Sequence, residues 1–220
     1  MKKFRNTICL VMALLLIALP LCGCGEKKDE IPEKVPNNIF SEFAYVKDGI
    51  ILPRNVTYGQ TIEAFKEERS ITDEDLISSR DYVIVIPYPA EQFPYEIREA
   101  VYYKSDRSFE SETDQHEIIE VEYLLSIKKA DAEQVFAELY EQAQAVMPEP
   151  AAQDVVGFEN TIENIKEGYS VYWEDAELNS FTFNVSDNVY GAEDMMVIHL
   201  KMRSGMYPTR AQQANQNRGE

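Results

Sequence analysis

Glu117–Met147 reads EIIEVEYLLSIKKADAEQVFAELYEQAQAVM, and its hydrophobic period changes halfway along. Over Glu117–Lys128 the residues alternate: Ile119, Val121, Tyr123, Leu125 and Ile127 fall on one side, Glu120, Glu122 and Ser126 on the other. Successive side chains of a strand point to opposite faces of its sheet, so this pattern predicts a strand with one buried side and one side in solvent. From Asp131 the period becomes helical, with Ala132, Val135, Phe136, Leu139, Ala143 and Val146 in one stripe and Glu133, Glu138, Glu141 and Gln144 elsewhere. Asp131 is placed to cap this helix, and Pro148 with Pro150 to end it. A one-sided strand beside a one-sided helix predicts an α+β domain, with helices packed on one face of a sheet.

The same pairing of elements extends in both directions. Upstream, TIEAFKEER (Thr61–Arg69) predicts a helix that Thr61 caps, and Thr72-Asp73-Glu74-Asp75 has the spacing of a capped turn with an acid at its third position. Strands are then predicted at Tyr82–Tyr88 and Ile97–Lys104. Downstream, Tyr169–Glu174, Ser180–Ser186 and Met195–Met202 read as three more, with Asp187-Asn188 and Gly191 as turn residues before the last. The order is αβββ-αβββ, and the short links make the sheet antiparallel. The two halves show no residue-by-residue repeat.

The N-terminus carries a different signal. Lys2, Lys3 and Arg5 precede the apolar run Ile8–Leu19, which Pro20 stops. As a helix that run would rise only about 18 Å, short of the roughly 30 Å core of a bilayer, so it is expected to be a cleaved secretory signal over 1–23. Its end, Leu21-Cys22-Gly23-Cys24, resembles the lipobox of bacterial lipoproteins. The resemblance implies that Cys24 receives a diacylglyceryl group and becomes the first residue of the mature chain. Two or more acyl chains hold a protein firmly to a membrane, so the expected location is the cell membrane, lipid-anchored on its extracytoplasmic face. GEKKDEIPEKVPNN (Gly25 to Asn38) reads as a solvated tether. Lipidated cysteine and tether together are assigned to 24–45, the α+β domain to 46–207, and a disordered tail to 208–220.

Without Lys2, Lys3 and Arg5 the chain has 18 basic and 39 acidic residues, a net charge of −21. Such a surface repels nucleic acid and anionic head groups, which argues against a nucleic-acid partner. Cys9, Cys22 and Cys24 all lie in or at the end of the leader, so the exported domain has no disulfide and no thiolate site.

Val56-Thr57-Tyr58-Gly59, the helix at Asp131–Met147 and Tyr172-Trp173-Glu174 carry a second resemblance, to small Gram-positive lipoprotein domains. Those in turn are similar to the helix and antiparallel-sheet repeats of the β-lactamase-inhibitor-protein type. This resemblance implies a protein-binding module and carries no catalytic set.

Catalytic chemistry finds little purchase in the sequence. No HExxH, Cys/His cluster, GxSxG elbow, Ser/His/Asp grouping or Gly-rich phosphate loop is present, so no catalytic, metal or cofactor residues are assigned. His116 reads as a loop histidine and His199 as a half-exposed strand histidine. Asp73-Glu74-Asp75 and Asp187-Asn188 do not follow a calcium loop and read as solvated turns. Glu174 and Asp175 beside Tyr172 and Trp173 could supply the paired carboxylates and stacking ring of a hydrolase acting on cell-wall glycan, the alternative to binding. Tyrosine suits recognition surfaces, and Tyr88, Tyr95, Tyr102, Tyr103 and Trp173 are the candidates for one. The expected partner is a protein or peptide at the cell surface.

Overall fold

Asn38 adopts extended backbone and turns its side-chain oxygen onto the Ser41 N–H at 2.9 Å, capping a short helix, α1 (Ile39–Phe43). The computed structural model describes residues 31–104, 116–147, 152–153, 170–187 and 193–207, and its compact unit begins at Glu33. The leader, Cys24, the first part of the tether through residue 30 and the 208–220 tail lie outside the described residues. α1 corrects the domain boundary at 46. Ile39, Phe40 and Phe43 are core residues: Phe43 stacks on Tyr123 at 4.3 Å, and Phe40 meets Phe181 edge-on at 5.3 Å. IFSEF is too short to show a helical period, so its apolar residues are hidden in a charged stretch.

The chain continues from α1 directly into β1 (Ala44–Lys47), which pairs with β2 (Ile50–Pro53). Asp48 and Gly49, both at positive φ, make the two-residue turn between them, the geometry that matches the twist of a hairpin. Helix α2 (Ile62–Glu68) follows, with Thr61 accepting from the Ala64 N–H at 3.2 Å as its cap. Thr72 and Asp75 form the expected capping box over a single 3₁₀ turn, Asp73–Asp75.

The remaining strands form one sheet. They are β3 (Ser78–Arg80), β4 (Val83–Pro87), β5 (Glu96–Tyr103), β6 (Ile118–Lys128), β7 (Ala152–Gln153), β8 (Ser170–Glu174), β9 (Ser180–Asp187) and β10 (Met195–Arg203). Their order is β3-β4-β5-β6-β10-β9-β8-β7, with every neighbouring pair antiparallel. The fold class is α+β as the sequence predicts, with α2 ahead of β4–β6 and the long helix α3 (Lys129–Gln144) ahead of β8–β10. The two halves meet where β6 pairs with β10, in register from Met195 opposite Lys128 to Arg203 opposite Glu120.

Helix α3 starts earlier than expected. Strand β6 runs straight into it, Lys128 occupies the cap position, and Asp131 lies in the first turn, where a carboxylate still favours the helix dipole. It also stops earlier, so Val146 lies past its end and is exposed. The rest of its stripe is buried, and Phe136 stacks on Phe183 at 4.5 Å. Fully burying side chains of this kind contributes roughly 1.5–3 kcal/mol each.

Two features of the sheet depart from simple alternation. Glu120 and Glu122, read as the wet side of β6, are buried, because β5 and β10 flank them and lay side chains of their own across the same face. Glu99 of β5 is fully buried on the opposite, helix-covered face. There Arg69, just past α2, donates to it at 2.5 Å and the Tyr123 hydroxyl at 3.0 Å.

Candidate functional site on the outer face of the sheet

Of the residues expected to form a recognition surface, the structure leaves one on the sheet face away from the helices. Trp173 is fully buried and packs against Phe181, and Tyr88 lies in the core between Phe43 and Tyr123. Neither can touch a ligand, and burying Trp173 also removes the sugar-stacking ring. Trp173 lies on β8 and Tyr88 just past the end of β4, and an aromatic type alone does not tell core from surface. Tyr95 is half-buried and stacks on Phe93. Tyr103 lies past a break in the β5–β6 register and donates to the Arg80 carbonyl at 3.0 Å. Tyr102 is the residue on the outer face, and it leads into a polar network that spans four strands.

The network follows from register. Tyr102 of β5 stands opposite Glu120, Lys201 of β10 opposite Glu122, and Ser186 of β9 opposite Val197, two residues from His199 on the same face. The Tyr102 hydroxyl donates to Glu122 Oε2 at 2.6 Å, and His199 Nδ1 lies 2.8 Å from Glu122 Oε1. The other ring nitrogen, Nε2, lies 2.7 Å from Ser186 Oγ. Beside this chain, Glu120 receives Arg203 Nη1 at 2.9 Å and Lys201 Nζ at 3.2 Å, while Lys201 also lies over the Tyr102 ring.

Electrostatics set the protons along this chain. Burial by itself raises the Glu122 carboxyl, but the hydrogen bond to His199, the Lys201 charge and the Tyr102 hydroxyl prevail and hold it below its usual range. Burial, and then the Glu122 charge, push the Tyr102 hydroxyl well up, so it remains a donor. An ionised carboxylate can only accept, which puts the imidazole hydrogen on Nδ1. In the neutral ring Nε2 is then an acceptor, and the Ser186 hydroxyl donates to it. Glu122 is buried and His199 half-buried, so their interaction is little screened by salt.

Sequence reading missed Ser186, His199 and Glu122 as a group. Strand patterning places Glu122 and Ser186 on the faces opposite Tyr123 and Val185. Only the pairing of β6 with β10 and of β10 with β9 brings the three together, and that register is a property of the folded sheet. His116 takes no part: its Nδ1 lies 3.2 Å from Glu63 on α2. Among the described residues, no group of three or more His, Cys, Asp or Glu side chains is arranged to hold a metal ion. Comparison with protein families, curated proteins and solved structures finds no match to this chain.

Proposed function

We propose that this chain is a lipoprotein precursor, anchored through Cys24 on the extracytoplasmic face of the cell membrane, whose domain binds a protein or peptide on the outer face of its sheet. The observation that carries the binding reading is the network of Tyr102, Glu122, His199 and Ser186, whose side chains already hold one another in place. Side chains fixed before contact lose little conformational entropy when a ligand arrives, so the face is suited to recognition. The acidic surface favours a partner with basic or polar groups over nucleic acid.

A photoreactive side chain at Thr182, half-buried on β9 opposite Lys201, tests the binding site in intact cells. The expected result is a discrete cross-linked protein from Thr182 that Tyr102→Ala weakens. Position Glu133, on the exposed side of α3, should give none. Equal cross-linking from both positions, or none from Thr182, would remove the outer face as the binding surface.

A further inference from the structure

We propose that Ser186, His199 and Glu122 act as nucleophile, base and positioning carboxylate, so that the outer face also cleaves a carboxylic ester by acyl transfer through Ser186. The order of contacts carries the inference. A hydroxyl becomes a useful nucleophile when a base within about 2.6–3.2 Å takes its proton and a third group holds that base in one tautomer. Here both distances lie in that range, at 2.7 Å and 2.8 Å, with the carboxylate on Nδ1 and the hydroxyl on Nε2. On β10, between β6 and β9, the ring turns one nitrogen to the carboxylate and the other to the hydroxyl. Three paired strands carry the three groups, and a sheet interior positions side chains more firmly than a loop does.

The steps balance with water as the only co-reactant. Ser186 Oγ attacks the ester carbonyl carbon while its proton passes to His199 Nε2. The bond to the alcohol oxygen then breaks, and that oxygen leaves with the proton from Nε2. Water attacks the Ser186 ester, gives a proton to Nε2, and releases the acid as Nε2 returns the proton to Oγ. Backbone N–H groups inside the sheet are engaged in its ladders, so the donor for the carbonyl oxygen must be a side chain. Asn184 fits this place: it lies two residues before Ser186 on the same face and stands opposite His199. Its Oδ1 is buried and has no hydrogen-bond partner among the described residues, and its Nδ2 is the atom that would donate.

The chemistry goes beyond the binding reading, and the two fail separately. The full chain, purified from membranes in detergent, is treated with a fluorophosphonate, and the modified peptide is mapped by mass spectrometry. In parallel, hydrolysis of p-nitrophenyl butyrate is followed. The adduct is expected on Ser186, with turnover that Ser186→Ala abolishes and His199→Ala lowers about 10²–10⁴-fold. Asn184→Ala should cost about 10²-fold or more in turnover. Glu122→Gln should shift the pH profile of labelling as well as its rate, which a merely structural residue would not do. Thermal unfolding of each variant shows that it is folded. Folded wild-type protein without an adduct on Ser186, or labelling unchanged in folded His199→Ala, would overturn the proposal. Cross-linking from Thr182 that survives Ser186→Ala in that case would leave the binding reading standing.

Discussion

Glu99 shows how a single residue can set the pH response of this domain. Burial raises its carboxyl above the ordinary range and outweighs the opposing pull of Arg69 and Tyr123. In acid, folded and unfolded chains both hold the proton. As pH rises from about 4.5, the unfolded chain releases it first, so the folded state binds more protons and loses stability until Glu99 also ionises. Glu99→Gln should therefore flatten that decline in a series of urea titrations across pH. Arg69→Ala should cost about 3–5 kcal/mol at pH values where Glu99 is ionised, because it leaves a buried carboxylate without its cation, and much less in acid. Tyr58 makes the opposite case: its hydroxyl is buried and has no hydrogen-bond partner among the described residues. Tyr58→Phe should be neutral or stabilising in the same titrations, whereas Tyr123→Phe, which strips a donor from Glu99, should cost about 1–3 kcal/mol. At this scale the sequence is a weak guide. Alternation put Tyr102 and Tyr103 on different faces, yet it could not show that Glu99 would be inside and Glu122 covered, because neighbouring strands decide both.

At the scale of elements, legibility tracks length and period. The Thr61 cap, the alternation of β6 and the stripe of α3 were readable because each repeats a local signal over several residues. Helix α1 has one turn and a half at most, so no period could form. The β1–β2 hairpin did carry a sign, Asp48-Gly49 between two apolar runs, a strong short-range marker of a tight turn, although no strands were expected there. These elements matter to the fold. Phe43→Ala should cost about 3–5 kcal/mol, because the ring is buried between Tyr123 and Tyr88. A chain beginning at residue 46 should lose cooperative unfolding, while one beginning at Glu33 should keep it; circular dichroism through a thermal melt separates the two outcomes. Gly205 is another dependence: a Cβ there would fall 1.8 Å from the Glu177 carbonyl oxygen, so the loop after β10 can press against the β8–β9 turn only without a side chain.

Across the whole molecule, fold class was the most legible property and strand order the least. The alternating blocks of helix and strand predicted an antiparallel sheet covered by helices. Nothing local stated that the last strand would insert beside β6 and fuse two halves into one sheet, since that pairing joins residues far apart in sequence. The proposed anchoring likewise belongs to the whole chain. Cys24→Ala should move the protein from the membrane fraction to the soluble one once the leader is removed, as followed by fractionation and immunoblotting. Retention in the membrane would refute a lipid anchor at that residue. Tethered copies would crowd in two dimensions, where any long bare strand would invite its neighbours to zip onto it. Among the described residues the flanking strands of this sheet are β3, three exposed residues Ser78–Arg80, and β7, two residues, so a passing copy finds little ladder to extend at either edge.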